Sequence, residues 1–303
     1  MNPVLSSMSK TLSGPVVGSV YPDGESFGVF AHYAATADGA AWGGETQPYL
    51  EDAEFVNDGG VCSGVSPAYW PFEGSLIFAG YSPYRKADVS EDDESKADES
   101  KVDNVAFTSA GTLSITDYTT DYVSDLMYFL PEVSNGNLIG IGKTSSAVPV
   151  SFRHALALVS FEVNAKAGDE KNILLKKIKI LDAKSKGTFT VSANDPDGGE
   201  WSALALPDEV QLFSSDADAG QTIPAGSPIR AQALMIPGDA ATIQVVYAID
   251  KNPSSDADVP SVQTKDFTPH DLALTEWEVG RKYTYTLTIG ARKIEASPTV
   301  SWQ

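Results

Sequence analysis

The chain has little of what most site chemistry needs. A single cysteine, Cys62, stands among 303 residues, so neither an intramolecular disulfide nor a cysteine-based metal cluster can form. It lies between Val61 and Ser63 in a Gly/Ser-rich stretch with no histidine close in sequence, which predicts a structural thiol rather than a nucleophile. The three histidines, His32, His154 and His270, fall in separate segments without HxH or HExxH spacing, so the sequence itself builds no metal site. Basic residues are scarce: 21 Lys and Arg against 41 Asp and Glu give a net charge of −20. Such a surface repels phosphate backbones and anionic lipid heads, which excludes nucleic-acid partners and charge-driven membrane binding. No apolar run approaches the roughly 20 residues of a transmembrane helix. The opening MNPVLSSMSKTLSG lacks the apolar core of an intact signal peptide. The expectation is a cytosolic protein, or a mature region whose leader has been removed.

Catalytic signatures are missing too. There is no GxSxG elbow. Gly142-Lys143-Thr144 has neither the preceding glycine nor the following helical pattern of a phosphate loop. Asp195, Asp197 and Gly198 resemble the opening of a calcium loop, but no ligand-rich continuation follows, and a β-turn is expected. The acidic run Glu91–Glu94, inside the charged stretch 85–101, lacks the ligand spacing and the turn glycine that calcium requires; it reads as a solvated loop. Carboxylates are too numerous for any pair to be chosen as a glycosidase dyad. No enzyme, cofactor or metal is expected.

What the chain does have is alternation. From Tyr283 to Ile289 the sequence Tyr-Thr-Tyr-Thr-Leu-Thr-Ile sets aromatic and aliphatic residues on one side and threonines on the other. That period of two predicts a half-buried strand, entered from a turn at Gly280. Further strands are expected over Phe27–Tyr33, Gly74–Tyr81, Val105–Phe107, Leu113–Ile115, Leu138–Ile141, Lys177–Ile180, Phe189–Val191, Arg230–Ile236 and Ile243–Ile249. In the run Val148–Val163, residues 148 to 158 keep one phase and Phe161 and Val163 take the other, which predicts a β-bulge or a strand buried on both sides. Turns such as Asn194–Gly199 are rich in Asp, Gly and Pro. The fold class is all-β, with sandwich-sized halves at 1–147 and 148–303.

Aromatic residues are the remaining candidates for a surface role. Trp42, Tyr69, Trp70, Phe72, Tyr81 and Tyr84 gather in the first half. Exposed, they stack on sugars or anchor a partner; buried, they are the core of the first sandwich, which is the expected outcome.

Taken in order, the segments resemble the fimbrillin-like proteins of Bacteroidetes, the subunits of type V pili. The resemblance is carried by Trp70–Pro83 (WPFEGSLIFAGYSP), by the F-x-H-A-L-A run Phe152–Ala157 continuing into Val159-Ser160-Phe161, by Met235-Ile236-Pro237-Gly238, and by Trp277–Leu287 (WEVGRKYTYTL). It implies two transthyretin-like β-sandwich domains in tandem and a non-enzymatic role in surface fimbriae. It also implies export as a lipoprotein, removal of an N-terminal strand by a protease, and filling of the exposed groove by a strand from a neighbouring subunit. Two departures stand out. Cys62 lies too deep to be a lipidated cysteine, so membrane attachment would rest on a lipid anchor on a native N-terminus absent from this chain. The first arginine is Arg85, which puts arginine-specific activation in doubt.

Two readings follow. The first is a fimbrial subunit or adhesin at the cell surface, its partners being other subunits joined by β-strand augmentation. Its donated segment is expected at Ile294–Trp302, with Ile294, Val300 and Trp302 as pocket-filling residues. The displaced element is expected at Val16–Tyr21, with Val16, Val17, Val20 and Tyr21. The second is a glycan-binding module that stacks Trp42, Trp70 and Tyr84 on a host or bacterial surface glycan or protein. Stalk, tip and anchor positions stay open.

Overall fold

The computed structural model describes residues 2–3, 21–84, 102, 104–166, 172–215, 220–224, 226–239, 241–250, 261–267, 276–290 and 294–302. Every regular element among them is a β-strand, as the period-two patterning requires. The chain divides into two compact units, Met1–Leu156 with Lys186–Leu204, and Ala157–Ser185 with Ala205–Gln303. The sequence division at 147/148 cuts the chain once. The compact units also exchange 186–204, and Val148–Leu156 lies with the first.

In the first unit the main sheet runs in the order Arg153–His154, Met127–Phe129, Ser75–Ser82, Ser26–Ala34, Thr46–Asp58, Val61–Gly64. All neighbours are antiparallel. Ser75–Ser82 is central and buried at every position. A strand covered on both faces needs no polar side, which is why Leu76-Ile77-Phe78-Ala79 reads as a continuous apolar run. Gly80 is required within it: a Cβ there would lie 2.3 Å from the Phe129 ring and 2.4 Å from the Gly28 carbonyl. Tyr21, Phe27, Val29, Phe55, Phe78, Phe129 and Phe152 pack into one apolar cluster. Phe27 meets Phe129 and Phe152 edge-on, with centroids 6.2 and 5.4 Å apart. Val105–Phe107 pairs antiparallel with Thr112–Thr119, which pairs antiparallel with Lys186–Ser192 through a register shift between Gly187 and Phe189.

This geometry decides between the alternatives for one expected strand and corrects one expected turn. The run Val148–Val163 is not one bulged strand. Val148, Val150 and Phe152 sit in the first unit's cluster, whereas Ala157–Ala165 pairs without a register shift in the second unit's sheet. The change of phase, between Leu158 and Phe161, falls inside that strand, where Ala157–Phe161 is buried at every position, so the expected alternative of a strand buried on both sides holds there. The turn expected over Asn194–Gly199 is tighter and earlier. Ala193-Asn194 makes it, and strand resumes at Asp195, pairing Asp195–Ser214 with Asn172–Ser192. Gly199 then serves packing rather than turning, since a Cβ there would lie 2.6 Å from the Phe189 ring.

In the second unit one sheet runs Ile229–Met235, Ala157–Ala165, Arg281–Ile289, Ile294–Trp302. Its inner pair, Ala157–Ala165 with Arg281–Ile289, is parallel and the outer pairs are antiparallel. A second group pairs the first part of Asn172–Ser192 with Thr242–Asp250, and Thr242–Asp250 with Ser261–Phe267. Its apolar side, with Ile173, Leu175, Ile178, Ile180, Ile243, Val245 and Ile249, is buried.

Candidate functional site

The terminal hairpin is the element that the sequence singles out for function. Tyr283, Tyr285, Leu287 and Ile289 are each at most 2 % exposed, and the intervening threonines are half-buried. Gly280 enters the strand at φ +67°, a left-handed value that suits glycine. Tyr285 stacks on Phe161 with centroids 5.3 Å apart, and its hydroxyl accepts a hydrogen bond from Trp277 Nε1 at 2.9 Å. Burial pushes its phenol up to about 12, partly offset by that bond. This strand is a fixed interior stave.

Ile294–Trp302 lies along its open side, in continuous register from Ile289↔Ile294 to Arg281↔Trp302. Ile294, Ala296, Pro298 and Val300 face the same way as the buried Ile289, Leu287, Tyr285 and Tyr283 they pair with, while Glu295, Ser297, Thr299 and Ser301 face outward and are exposed. Ile294 is half-buried and Val300 is 48 % exposed. The strand ends the sheet order, so one row of its backbone groups has no strand beside it among the described residues. Pro298 suits that position, because a missing N–H is tolerated on an outer edge.

Of the residues expected in a displaced first strand, Val16, Val17 and Val20 lie outside the described residues. Tyr21 is described and is a core residue. It is 1 % exposed, and stacks on Phe152 with centroids 4.9 Å apart. Its hydroxyl donates to the Ser26 carbonyl at 2.9 Å and meets the Ser82 hydroxyl at 2.6 Å.

The aromatic candidates do not converge. Trp42 Nε1 donates to the Ser109 carbonyl at 3.0 Å. Trp70 packs edge-on against Phe78 with centroids 5.9 Å apart, and Tyr84 leans on Tyr81 with centroids 6.2 Å apart. All three rings are half-buried, and none is in ring contact with another among the described residues. The rings that do face solvent are Tyr69 and Phe72, 79 % and 91 % exposed, contrary to the expected burial. The local sequence explains this. Trp70 occupies the apolar side of the loop, Tyr49 donates to the Tyr69 carbonyl, and Tyr69 and Phe72 are left outside. A groove of about 230 Å³ beside them is lined by Tyr49, Leu50, Phe55, Trp70, Phe78 and Val148.

His154, in the F-x-H-A-L-A run, is a buried ion-pair partner. Its Nδ1 donates to Asp125 Oδ2 at 2.9 Å, with side-chain exposures of 11 % and 2 %. Burial disfavours the imidazolium, but the charge and the hydrogen bond of Asp125 outweigh it and hold the pKa above the usual histidine value. The same segment is held by Ala155 N donating to the Leu126 carbonyl at 2.8 Å and by Trp201 Nε1 donating to the Ala155 carbonyl at 2.8 Å. Cys62 is buried and its thiol faces Asn57 Oδ1 at 3.7 Å. Burial pushes that thiol up to about 11, so it is a poor nucleophile at neutral pH. No cluster of three or more metal-ligating side chains occurs among the described residues, and His270 lies outside them.

An all-β chain of two units, with a buried terminal stave and an open edge strand, defines a class of sheet protein. The particular family is shown by sequence: the fimbrillin-like family model matches residues 16–302, and the chain belongs to that family. Its fold is shared by a fimbrial protein from Bacteroides vulgatus, 18 % identical over 91 % of this chain and 92 % of that one, with a TM-score of 0.55. A candidate cell adhesion protein from Bacteroides ovatus is 14 % identical over 99 % and 95 %, with a TM-score of 0.54. No curated protein matches the chain.

Proposed function

We propose that this protein is a non-enzymatic subunit or adhesin of a cell-surface fimbrium that joins its neighbours by strand exchange. Membership of the fimbrillin-like family over residues 16–302 carries the fimbrial reading, and the Bacteroides vulgatus fimbrial protein is consistent with it. For strand exchange, the supporting observation is Ile294–Trp302. It is an outermost strand with one apolar and one polar side, and its apolar side is only partly covered. Such a strand can leave its own sheet at modest cost and pair elsewhere, with backbone bonds supplying continuity and alternate side chains filling pockets. In the first unit, the groove bounded by Trp70 and Phe78 is a candidate acceptor. Each unit is read as a transthyretin-like sandwich, and attachment to the outer membrane is read as resting on a lipid anchor.

The test is deletion of residues 291–303, with sedimentation and electron microscopy of the product. Loss of self-assembly with both units still folded supports donation. Assembly that persists removes it, and unfolding of the second unit makes the segment a structural strand. A second reading, glycan or partner binding through exposed rings, is favoured by Tyr69 and Phe72 rather than by Trp42, Trp70 and Tyr84. Phe72→Ala lowering retention on a glycan array, with Trp42→Ala leaving it unchanged, would support that reading.

A further inference from the structure

The face of the second unit's four-stranded sheet that carries Ser160 holds a hollow of about 490 Å³, unconnected with the strand-exchange reading. Ser160 forms its floor. It is 8 % exposed, and its Oγ is buried with no hydrogen-bond partner among the described residues. A buried hydroxyl left unpaired is unfavourable, and native proteins rarely keep one without a use. Ser160 is in register with Gln232 on one side and Thr284 on the other. The three therefore form a straight row of neutral hydrogen-bonding side chains across three strands.

Charges flank the row. Two residues along in one direction lies Lys282, in register with Leu158. Two residues along in the other, Glu162 is in register with Arg230 and accepts from its Nε at 2.9 Å. The distance between the two charged rungs is about 13 Å along the strands, four residues at the usual rise. Two cations against one carboxylate leave the hollow with a formal charge of 2 − 1 = +1 in a chain of −20. A bare inorganic anion would use Lys282 alone and leave the hydroxyl and amide row idle. A neutral sugar would use the row and leave the charge idle. A ligand with both a carboxylate and several hydroxyls uses both.

We infer that this hollow binds a carboxylated sugar residue of the hexuronic acid type. Its hydroxyls exchange hydrogen bonds with Gln232, Ser160 and Thr284, and its carboxylate lies toward Lys282.

The test titrates sodium glucuronate into the full chain and follows backbone amide signals by NMR, with glucose and acetate in parallel. Saturable shifts at Ser160, Gln232 and Thr284 are expected, with glucuronate bound more tightly than glucose or acetate. Ser160→Ala removes one hydroxyl and should weaken binding roughly fivefold. Lys282→Gln should abolish the preference for glucuronate over glucose. It also serves as the test if Ser160→Ala does not fold, because Lys282 is half-buried at the rim. The proposal is overturned by absence of saturable shifts, by acetate matching glucuronate, or by both variants binding as tightly as the parent.

Discussion

Two strands of one hairpin, separated by four residues, have opposite physical characters. Arg281–Ile289 lies between two neighbours and buries every second side chain. Ile294–Trp302 has one neighbour and buries none completely among its described side chains. The difference is written in composition. The inner strand places Tyr, Tyr, Leu and Ile inward and Thr outward, all good strand formers. The outer strand interrupts its apolar side with Ala296 and Pro298 and carries Glu295 on the other. Glu295 pairs with Lys166 at 3.0 Å, but both side chains are about half exposed, so the pair adds little. One strand is built to stay, and the other is held mainly by its backbone ladder.

The largest expected effect comes from breaking the fixed strand. Tyr285→Ala removes the stack on Phe161 and leaves Trp277 Nε1 without its acceptor. A loss of about 4 kcal/mol is expected, read as a lower urea midpoint. A loss below about 1 kcal/mol would mean that the inner strand is no more firmly held than the outer, and the contrast would collapse.

A second fixed point lies in the first unit. His154→Gln leaves the Asp125 carboxylate buried without its cation, at an expected cost of about 3 kcal/mol. The sign of the pH dependence follows from the raised histidine pKa. A raised folded value means that the stabilisation is fully present below the unfolded value of about 6.5 and is lost as pH rises through the folded value. The gap between parent and His154→Gln urea midpoints should therefore be wider at about pH 6 than at about pH 9. A gap that widens with pH would mean that the histidine is held neutral.

Much of this contrast is legible in the sequence. Tyr283–Ile289 follows period two without a break, and each residue of the apolar set is buried. Ser75–Ser82 was also readable as a strand, because only a doubly covered strand tolerates Leu-Ile-Phe-Ala in succession. What periodicity missed had one cause: it describes a strand's faces but not its partners. The Val148–Val163 run crosses from one unit to the other near residue 156, where its phase does not change, so the pattern gives no sign of the crossing. Trp70 and Phe72 are both large, apolar and next to Pro71, yet one packs against Phe78 and the other is 91 % exposed. The row of Gln232, Ser160 and Thr284 spans three strands far apart in sequence, and no spacing along the chain could have assembled it.

A matched pair sharpens the comparison further. Ile289 and Ile294 face each other across the hairpin, with identical side chains and different burial. Ile289 is 0 % exposed, and its truncation to alanine should cost about 3 kcal/mol. Ile294 is half-buried, so its truncation should cost about 1 kcal/mol. The informative quantity is the difference of about 2 kcal/mol between two urea midpoints, because chemistry and strand pairing are held constant.

The smallest effect on stability bears most directly on function. Val300 is in register with Tyr283 but is 48 % exposed, so Val300→Ala should change the monomer by about 0.5 kcal/mol or less. If Ile294–Trp302 is the donated strand, Val300 fills a pocket only after it has left its own sheet. Self-assembly should then weaken by roughly tenfold, the factor that about 1.4 kcal/mol of lost apolar burial produces. Sedimentation of the variant beside the parent separates the two quantities. Unchanged assembly with unchanged stability would mean that Val300 is an ordinary edge side chain. A monomer destabilised as much as by Ile289→Ala would mean that the outer strand is fixed after all, and donation would lose its physical basis.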